Sequence, residues 1–258
     1  MRNIKIEIEY DGTNYKGWQI QRKPDGIPTQ KTIQGVIERV LSGILQEEMR
    51  VIGSGRTDSG VHAVGQVANF KTKSKMPMAV MQRALNALLP KDIVIVDTEE
   101  AKPDFNSRFD ALSKTYRYQI LNRNYATAFD RLYQCHVPYK LDYRLMAREG
   151  RVLIGRKDFK SFQASDKKER NSVRNIKRLS VRKDGSIINI DIEANGFLYN
   201  MVRNIVGTIV DIGRGYLPPG SMKKIIAAKN RTKAGPTAPP QGLFLESIEY
   251  GVRPRHRT

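Results

Sequence analysis

The sequence predicts an α+β protein made of two tandem ferredoxin-like (βαββαβ) domains, with mainly antiparallel sheets and a central cleft. Three observations carry this. Apolar residues switch between strand and helix spacing in the order strand, helix, strand, strand, helix, strand. The order recurs in the second half. Capping, proline and glycine residues fall between the segments.

In the first half, Ile4, Ile6 and Ile8 alternate with Lys5, Glu7 and Glu9, a strand with one buried face. Ile33, Val36, Ile37, Val40, Leu41 and Ile44 then recur at helical spacing behind Thr32, whose hydroxyl suits an N-cap. Short strands are expected at Met49 to Ile52 and Val64 to Phe70. Pro77 opens a second helix with Val80, Met81, Ala84, Leu85 and Leu88 on its apolar side, and Pro90 ends it. Ile93 to Val96 supplies the closing strand.

The second half opens with a strand at Thr115 to Leu121 and a helical region at Tyr143 to Ile154. Strands at Leu179 to Val181 and Ile187 to Ile192 meet at Asp184-Gly185, a hairpin signal. A helix from about Phe197 to Ile212, a shorter one at Ser221 to Lys229 and a strand at Leu243 to Tyr250 follow, with a Pro/Gly-rich loop at Gly235 to Pro240. The boundary falls near Phe109-Asp110-Ala111, giving domains 1–109 and 110–258. In the Phe197 helix, Leu198, Met201, Val202, Ile205, Val206 and Ile209 form a wide apolar face. Gly196, Asn200, Arg203, Asn204 and Gly207 share the remaining stripe. That stripe either carries Arg203 into a crevice or leaves it solvated, and pattern alone does not decide.

With 258 residues, 40% of them hydrophobic, the chain can bury a core. Its 45 Lys and Arg outnumber 26 Asp and Glu, for a formal charge of +19. Such an excess suits a phosphate-rich partner, because each neutralised phosphate releases condensed counterions. No long basic amphipathic helix or lipidation signal favours a membrane surface, so nucleic acid is the expected polyanion. The single cysteine, Cys135, excludes an intrachain disulfide and a Cys-x-x-Cys zinc site, which fits a reducing cytosol. Met1-Arg2-Asn3 leads straight into a strand pattern without an apolar signal core, and no apolar run reaches membrane-spanning length. A soluble, cytoplasmic protein is expected.

The octapeptide Gly55-Arg56-Thr57-Asp58-Ser59-Gly60-Val61-His62 sets one carboxylate between an arginine and a histidine in a turn bounded by glycines. One reading is an Asx-type turn joining two strands. The other is chemistry on a polyanion. The stretch lacks the Gly-Lys-Ser/Thr ending of a P-loop and the spacing of a dinucleotide fingerprint. No His-Glu-x-x-His, tight carboxylate cluster or RNP1 consensus is present, and no metal site is expected.

Further blocks lie in order along the chain. Glu9-Tyr10-Asp11-Gly12, Tyr15-Lys16-Gly17-Trp18-Gln19 and Thr32-Ile33-Gln34 come first, then the octapeptide with Ala63. Phe105-Asn106-Ser107-Arg108-Phe109, Lys114-Thr115-Tyr116-Arg117-Tyr118 and Asp158-Phe159-Lys160-Ser161-Phe162 follow. Asn200 to Gly207 and Gly242-Leu243-Phe244-Leu245 complete the set. This succession, spanning nearly the whole chain, resembles the tRNA pseudouridine synthase A family. The sequence departs from the family pattern at Ser107, where alanine is usual, at Asn200, where histidine is common, and in a longer segment between Trp18 and Thr32.

The resemblance implies isomerisation of uridine to pseudouridine in the anticodon stem-loop of tRNA, at positions 38, 39 and 40, without a cofactor and by a homodimer. It implies Asp58 as the catalytic carboxylate, Arg56 as the residue that extrudes the target nucleotide, and Tyr116 as the ring that stacks on uracil and the base that takes the C5 proton. Arg203 is implied as the partner of Asp58, and Leu243 as a substrate contact. The roles make chemical sense. A nearby arginine favours an ionised carboxylate. Unstacking costs a few kcal/mol, and stacking on an aromatic ring returns about 1–3 kcal/mol. Attack at uracil C6 or at ribose C1′ stays open. Tyr118 shares a strand face with Tyr116 and is its rival on pattern alone. His62 is either a base or a structural hydrogen-bonding group, and Trp18 either stacks on RNA or packs in the core. Lys71, Lys73 and Lys75, with Arg253, Arg255 and Arg257, are candidates for a phosphate track. Two rival functions are a non-catalytic tandem RNA-binding module and a phosphoester-cleaving enzyme.

Overall fold

The computed structural model describes residues 1–21, 30–164 and 171–251. By contacts the chain forms two compact units, one of Met1–Leu112 with the chain from Leu245 onward, the other of Ser113–Phe244. Both carry helices on mostly antiparallel sheets.

The first unit holds β1 (Arg2–Tyr10), α1 (Ile33–Leu45), β2 (Ile52–Gly53), β3 (His62–Thr72), α2 (Met78–Leu88) and β4 (Ile93–Ala101). Its strands run in the order β4-β1-β3-β2, all neighbours antiparallel, with Ile6 opposite Ala68 on one side and Thr98 on the other. Ile4, Ile6 and Ile8 are fully buried, as their alternation requires. In α1, Ile33, Ile37 and Leu41 are buried one turn apart, and the Thr32 hydroxyl accepts the Gly35 N–H at 3.3 Å.

In the first unit, β2, β4 and α2 depart most from expectation, each for a local reason. The strand expected from Met49 shrinks to Ile52–Gly53, because the Met49 and Val51 N–H groups donate to Ser42 and Glu38 side chains of α1 instead of a neighbouring strand. Strand β4 extends five residues past Val96, where Glu99 and Glu100 meet Lys5 and Arg2 of β1 at 2.6 and 3.0 Å. Charged cross-strand pairs leave no apolar alternation to read. Helix α2 buries Met81 and Leu85 but exposes Val80 and Leu88. Its amides explain the rotation. Asn86 accepts the Ile95 N–H at 2.8 Å and donates to the Ile95 carbonyl at 2.9 Å, while Gln82 donates to Ile95 and Val96 carbonyls. These bonds occupy the outer edge of β4, which no strand covers among the described residues.

The second unit holds β5 (Ala111–Asn122), β6 (Cys135–Val137), α3 (Tyr143–Arg151), β7 (Gly155–Asp158), β8 (Val173–Asp184), β9 (Ile187–Ala194), α4 (Met201–Gly213) and α5 (Ser221–Ala228); β10 (Leu243–Tyr250) begins at its end and runs on beside β3 of the first unit. Strands β5, β9, β8 and β7 pair antiparallel in that order, and β6 lies parallel to β5. The β8–β9 turn is Gly185-Ser186, with Gly185 at φ 53° as such hairpins require. Helix α4 starts at Met201, four residues later than expected. Asn200 ahead of it takes a left-handed backbone at φ 57°, so Gly196 to Asn200 form a lead-in and not a first turn.

Asn86→Ala strips the acceptor from the part-buried Ile95 N–H. Stability to urea is expected to fall by about 1–3 kcal/mol; an unchanged midpoint would show that the amide does not hold α2 to β4.

Candidate active site

The Asp58 loop is clamped between two backbone approaches. A Cβ on Gly12 would stand 2.0 Å from the Val61 carbonyl oxygen, and one on Gly17, at φ +84°, 2.5 Å from that of Thr57. Only glycine permits either contact. The Trp18 N–H donates to the Thr57 carbonyl at 3.1 Å, the Val61 N–H to the Asp58 carbonyl at 3.1 Å, and the Gly60 N–H to the Tyr15 carbonyl at 3.3 Å. Beneath the loop the buried Tyr10 and Thr57 hydroxyls bond at 2.8 Å. Ser54 donates to Gln66 at 2.6 Å, and Gln66 donates to the Gly55 carbonyl at 3.1 Å. The blocks Tyr10 to Gly12, Tyr15 to Trp18 and Gly55 to His62 therefore build one structure. Asp58 is half-buried on it, and Arg56 is exposed.

Two neighbours have structural roles. His62 is buried; its Nδ1 accepts the Gly12 N–H at 3.1 Å and lies 3.1 Å from an Asp11 carboxylate oxygen. Trp18 is buried against Gly53, where a Cβ would come within 2.5 Å of the indole, and tilts on Tyr10 at 6.1 Å. Its ring belongs to the core and offers no platform to RNA.

In the second unit, Tyr116 and Tyr118 share a face of β5 but not an environment. The Tyr118 ring is fully buried, its hydroxyl donates to the Pro239 carbonyl at 2.8 Å, and Gly242 sits against it. Burial, reinforced by Cys135, pushes its pKa well above the ordinary phenol range, so it stays protonated at neutral pH. Tyr116 is 7% exposed and meets Phe197 edge to face at 5.0 Å. Phe197 was not legible as a site residue, since its spacing reads as the start of a helix.

Arg203 lies on the first turn of α4, half-buried. Its Nε donates to the Ala238 carbonyl at 2.7 Å, its Nη1 donates to Asn200 Oδ1 at 3.1 Å, and the Ala238 N–H returns a bond to the Arg203 carbonyl at 3.1 Å. The loop carrying Ala238 approaches α4 because residue 207 is glycine; a Cβ there would stand 1.8 Å from the Pro236 carbonyl oxygen. Leu243, just past that loop, is buried. Arg56 and Asp58 thus share one loop of the first unit, whereas Tyr116, Arg203 and Leu243 belong to the second. Lys71, Lys73 and Lys75 are exposed beyond and at the end of β3, while Arg253, Arg255 and Arg257 lie outside the described residues.

A family model described as tRNA pseudouridine synthase matches residues 6–110 and 151–251. A tRNA pseudouridine synthase A of Caldicellulosiruptor bescii is 48% identical over 250 residues, covering 97% of this chain and 100% of that protein. One from Thermoanaerobacter sp. (strain X514) is 45% identical over the same span and shares. The chain belongs to the tRNA pseudouridine synthase family. A tRNA pseudouridine synthase A 2 of Clostridium perfringens matches at 46%, again over 97% of this chain and 100% of that one.

Two departures from the family pattern find partners here. Ser107 is fully buried; its hydroxyl donates to the Ile52 carbonyl at 2.5 Å and its N–H to Asn69 at 2.9 Å. Asn200 is the acceptor for Arg203 already described. Part of the longer Trp18–Thr32 segment lies outside the described residues.

Gly12→Ala tests the clamp. The added methyl is expected to force the Asp58 loop off its seat, costing about 1–3 kcal/mol of stability and most of the pseudouridine-forming activity. A variant that keeps wild-type stability and turnover would show that the close approach is dispensable.

Proposed function

We propose that this chain is an isomerase that converts uridine to pseudouridine in the anticodon stem-loop of tRNA, at positions 38, 39 and 40, with Asp58 as its catalytic carboxylate. Isomerisation breaks the N1–C1′ bond, turns the uracil while it is held, and forms a C5–C1′ bond; the C5 proton leaves and N1 gains one. Nothing is oxidised or reduced, so the reading calls for no cofactor. Asp58 attacks the nucleotide, Arg56 extrudes it from the stem, Tyr116 stacks on the uracil and takes the C5 proton, Arg203 favours ionised Asp58, and Leu243 contacts the substrate. The enzyme works as a homodimer in the cytoplasm.

The observation that carries the reading is the clamped Asp58 loop. An acidic side chain on a segment immobilised by glycine contacts, and seated on a buried Tyr10–Thr57 hydrogen bond, suits a carboxylate whose position matters to chemistry. The formal charge of +19 supports a phosphate-rich substrate. Buried Tyr118, its hydroxyl spent on Pro239, favours Tyr116 for the stacking role. The strand orders support two ferredoxin-like repeats, which we place along 1–109 and 110–258, although contacts group the chain from Leu245 onward with the first unit. The order β4-β1-β3-β2 is that of such a repeat, and β5, β9 and β8 stand as its first, third and second strands. Among the described residues, no helix is long and apolar enough to cross a membrane.

Asp58→Ala is expected to abolish pseudouridine formation while leaving most tRNA binding intact, measured by base-resolution mapping and filter binding; undiminished turnover would remove Asp58 from the mechanism. Arg203→Met is expected to lower turnover more than affinity. Loss of the cation disfavours the ionised carboxylate, so the acid limb of the pH–rate profile should move to higher pH. An unmoved limb would contradict the assigned pairing.

A further inference from the structure

The side chain that organises the Pro/Gly loop of the second unit is Arg231, which has no place in the mechanism above. Its Nη1 donates to the Gly235 carbonyl at 2.9 Å and reaches the Ala234 carbonyl at 3.4 Å. Its Nη2 donates to Asn204 Oδ1 at 2.9 Å and to the Thr237 hydroxyl at 3.2 Å. Every one of these acceptors lies on α4 or on the loop that faces it.

The network continues inward. Asn204 is fully buried; its Oδ1 also accepts from the Thr237 hydroxyl at 2.7 Å, and its Nδ2 donates to the Phe162 carbonyl at 2.8 Å. Thr208, equally buried, accepts the Gly235 N–H at 2.9 Å. The base of Arg231 is tied down as well, since the Asn230 N–H donates to the buried Ser161 hydroxyl at 2.9 Å. Loop residues 234–237 are therefore fastened to α4 side by side, and the next residue, Ala238, brackets Arg203 through both its N–H and its carbonyl.

We propose that Arg231 is a positioning residue for Arg203, acting through the 234–238 loop and the buried Asn204 amide. The proposal rests on the reading that Arg203 serves the reaction. The forked guanidinium matters more than its charge, because it spans loop and helix with donors at fixed angles, which a lysine ammonium does not reproduce. Arg203 presents its Nε to a carbonyl whose position this fork fixes. A cation displaced by about 1 Å can cost catalysis about a hundredfold without loss of binding.

The test is a double-mutant cycle in single-turnover assays on an unmodified tRNA transcript, using Arg203→Met, Arg231→Met and the double variant, with Arg231→Lys and Thr237→Val beside them. The expected result is a rate lowered roughly 10- to 100-fold by Arg231→Met, with tRNA affinity within about twofold of wild type. Arg231→Lys should not restore the rate. The double variant should be no slower than Arg203→Met alone, because a residue that acts through Arg203 has nothing left to position. Thr237→Val, which removes one hydroxyl from the same network, gives the same cycle should Arg231→Met fail to fold, and is expected to be slowed about tenfold by the same misplacement. Wild-type rates in the network variants, or losses that multiply in the double variant, would overturn the proposal while leaving the role of Arg203 intact. Full activity in Arg203→Met alone would instead overturn the reading on which it rests.

Discussion

The approach of Gly12 to Val61 and of Gly17 to Thr57 is the constraint on which the first unit's site depends. At two points the stretch that follows β1 touches the Asp58 loop backbone to backbone, at separations that exclude any Cβ. The Thr57 carbonyl and the Gly60 N–H then bond to Trp18 and Tyr15 of the same segment, and the buried Tyr10 hydroxyl meets Thr57 from below. Burial pushes the Tyr10 pKa up, with Thr57 and Gln66 acting against it, so the phenol keeps its proton at neutral pH. The glycine contacts and backbone hydrogen bonds hold the segment that carries Asp58.

The second unit solves the same problem with side chains. There a glycine at 207 lets the Pro/Gly loop reach α4, but Arg231, Asn204, Thr208 and Thr237 fasten it. Tyr118 secures the loop's far end at Pro239. A buried polar network of this kind is stable only when every member is paired, and that requirement ties its residues to one another. The blocks quoted from the sequence for their family resemblance are thus contact partners in space. Asp158 to Phe162 meets Asn204 through the Phe162 carbonyl, and Asn200 to Gly207 meets the loop that leads to Gly242.

Much of the fold was legible because it rests on burial. Helix α1 shows its Ile33, Ile37 and Leu41 stripe plainly, and the β8–β9 hairpin lies where Asp184-Gly185 signalled it, although its turn is Gly185-Ser186, one residue later, because Asp184 still pairs with Ile187. What escaped rests on polar contacts. The charged half of β4 pairs through Glu99 and Glu100, α2 turns to satisfy the edge of β4 with Gln82 and Asn86, and α4 starts late because Asn200 adopts a left-handed backbone. In the site, Asp58 stood out by composition, yet its role came from resemblance. Tyr116 and Tyr118 are equivalent by period, and what separates them is the Tyr118 hydroxyl bond to Pro239 and the Tyr116 contact with Phe197. Arg231 gave no signal beyond standing four residues ahead of Gly235, since a lone arginine in a loop reads as a solvated charge.

The chain belongs to the tRNA pseudouridine synthase family, and the proposed reading is that the Asp58 carboxylate acts on tRNA and leaves an isomerised uridine behind. Purified chain incubated with unmodified tRNA transcripts and no added cofactor, followed by base-resolution pseudouridine mapping, addresses that most directly. New pseudouridine confined to the anticodon stem-loop is the predicted result. RNA that returns unmodified, or cut, would contradict it.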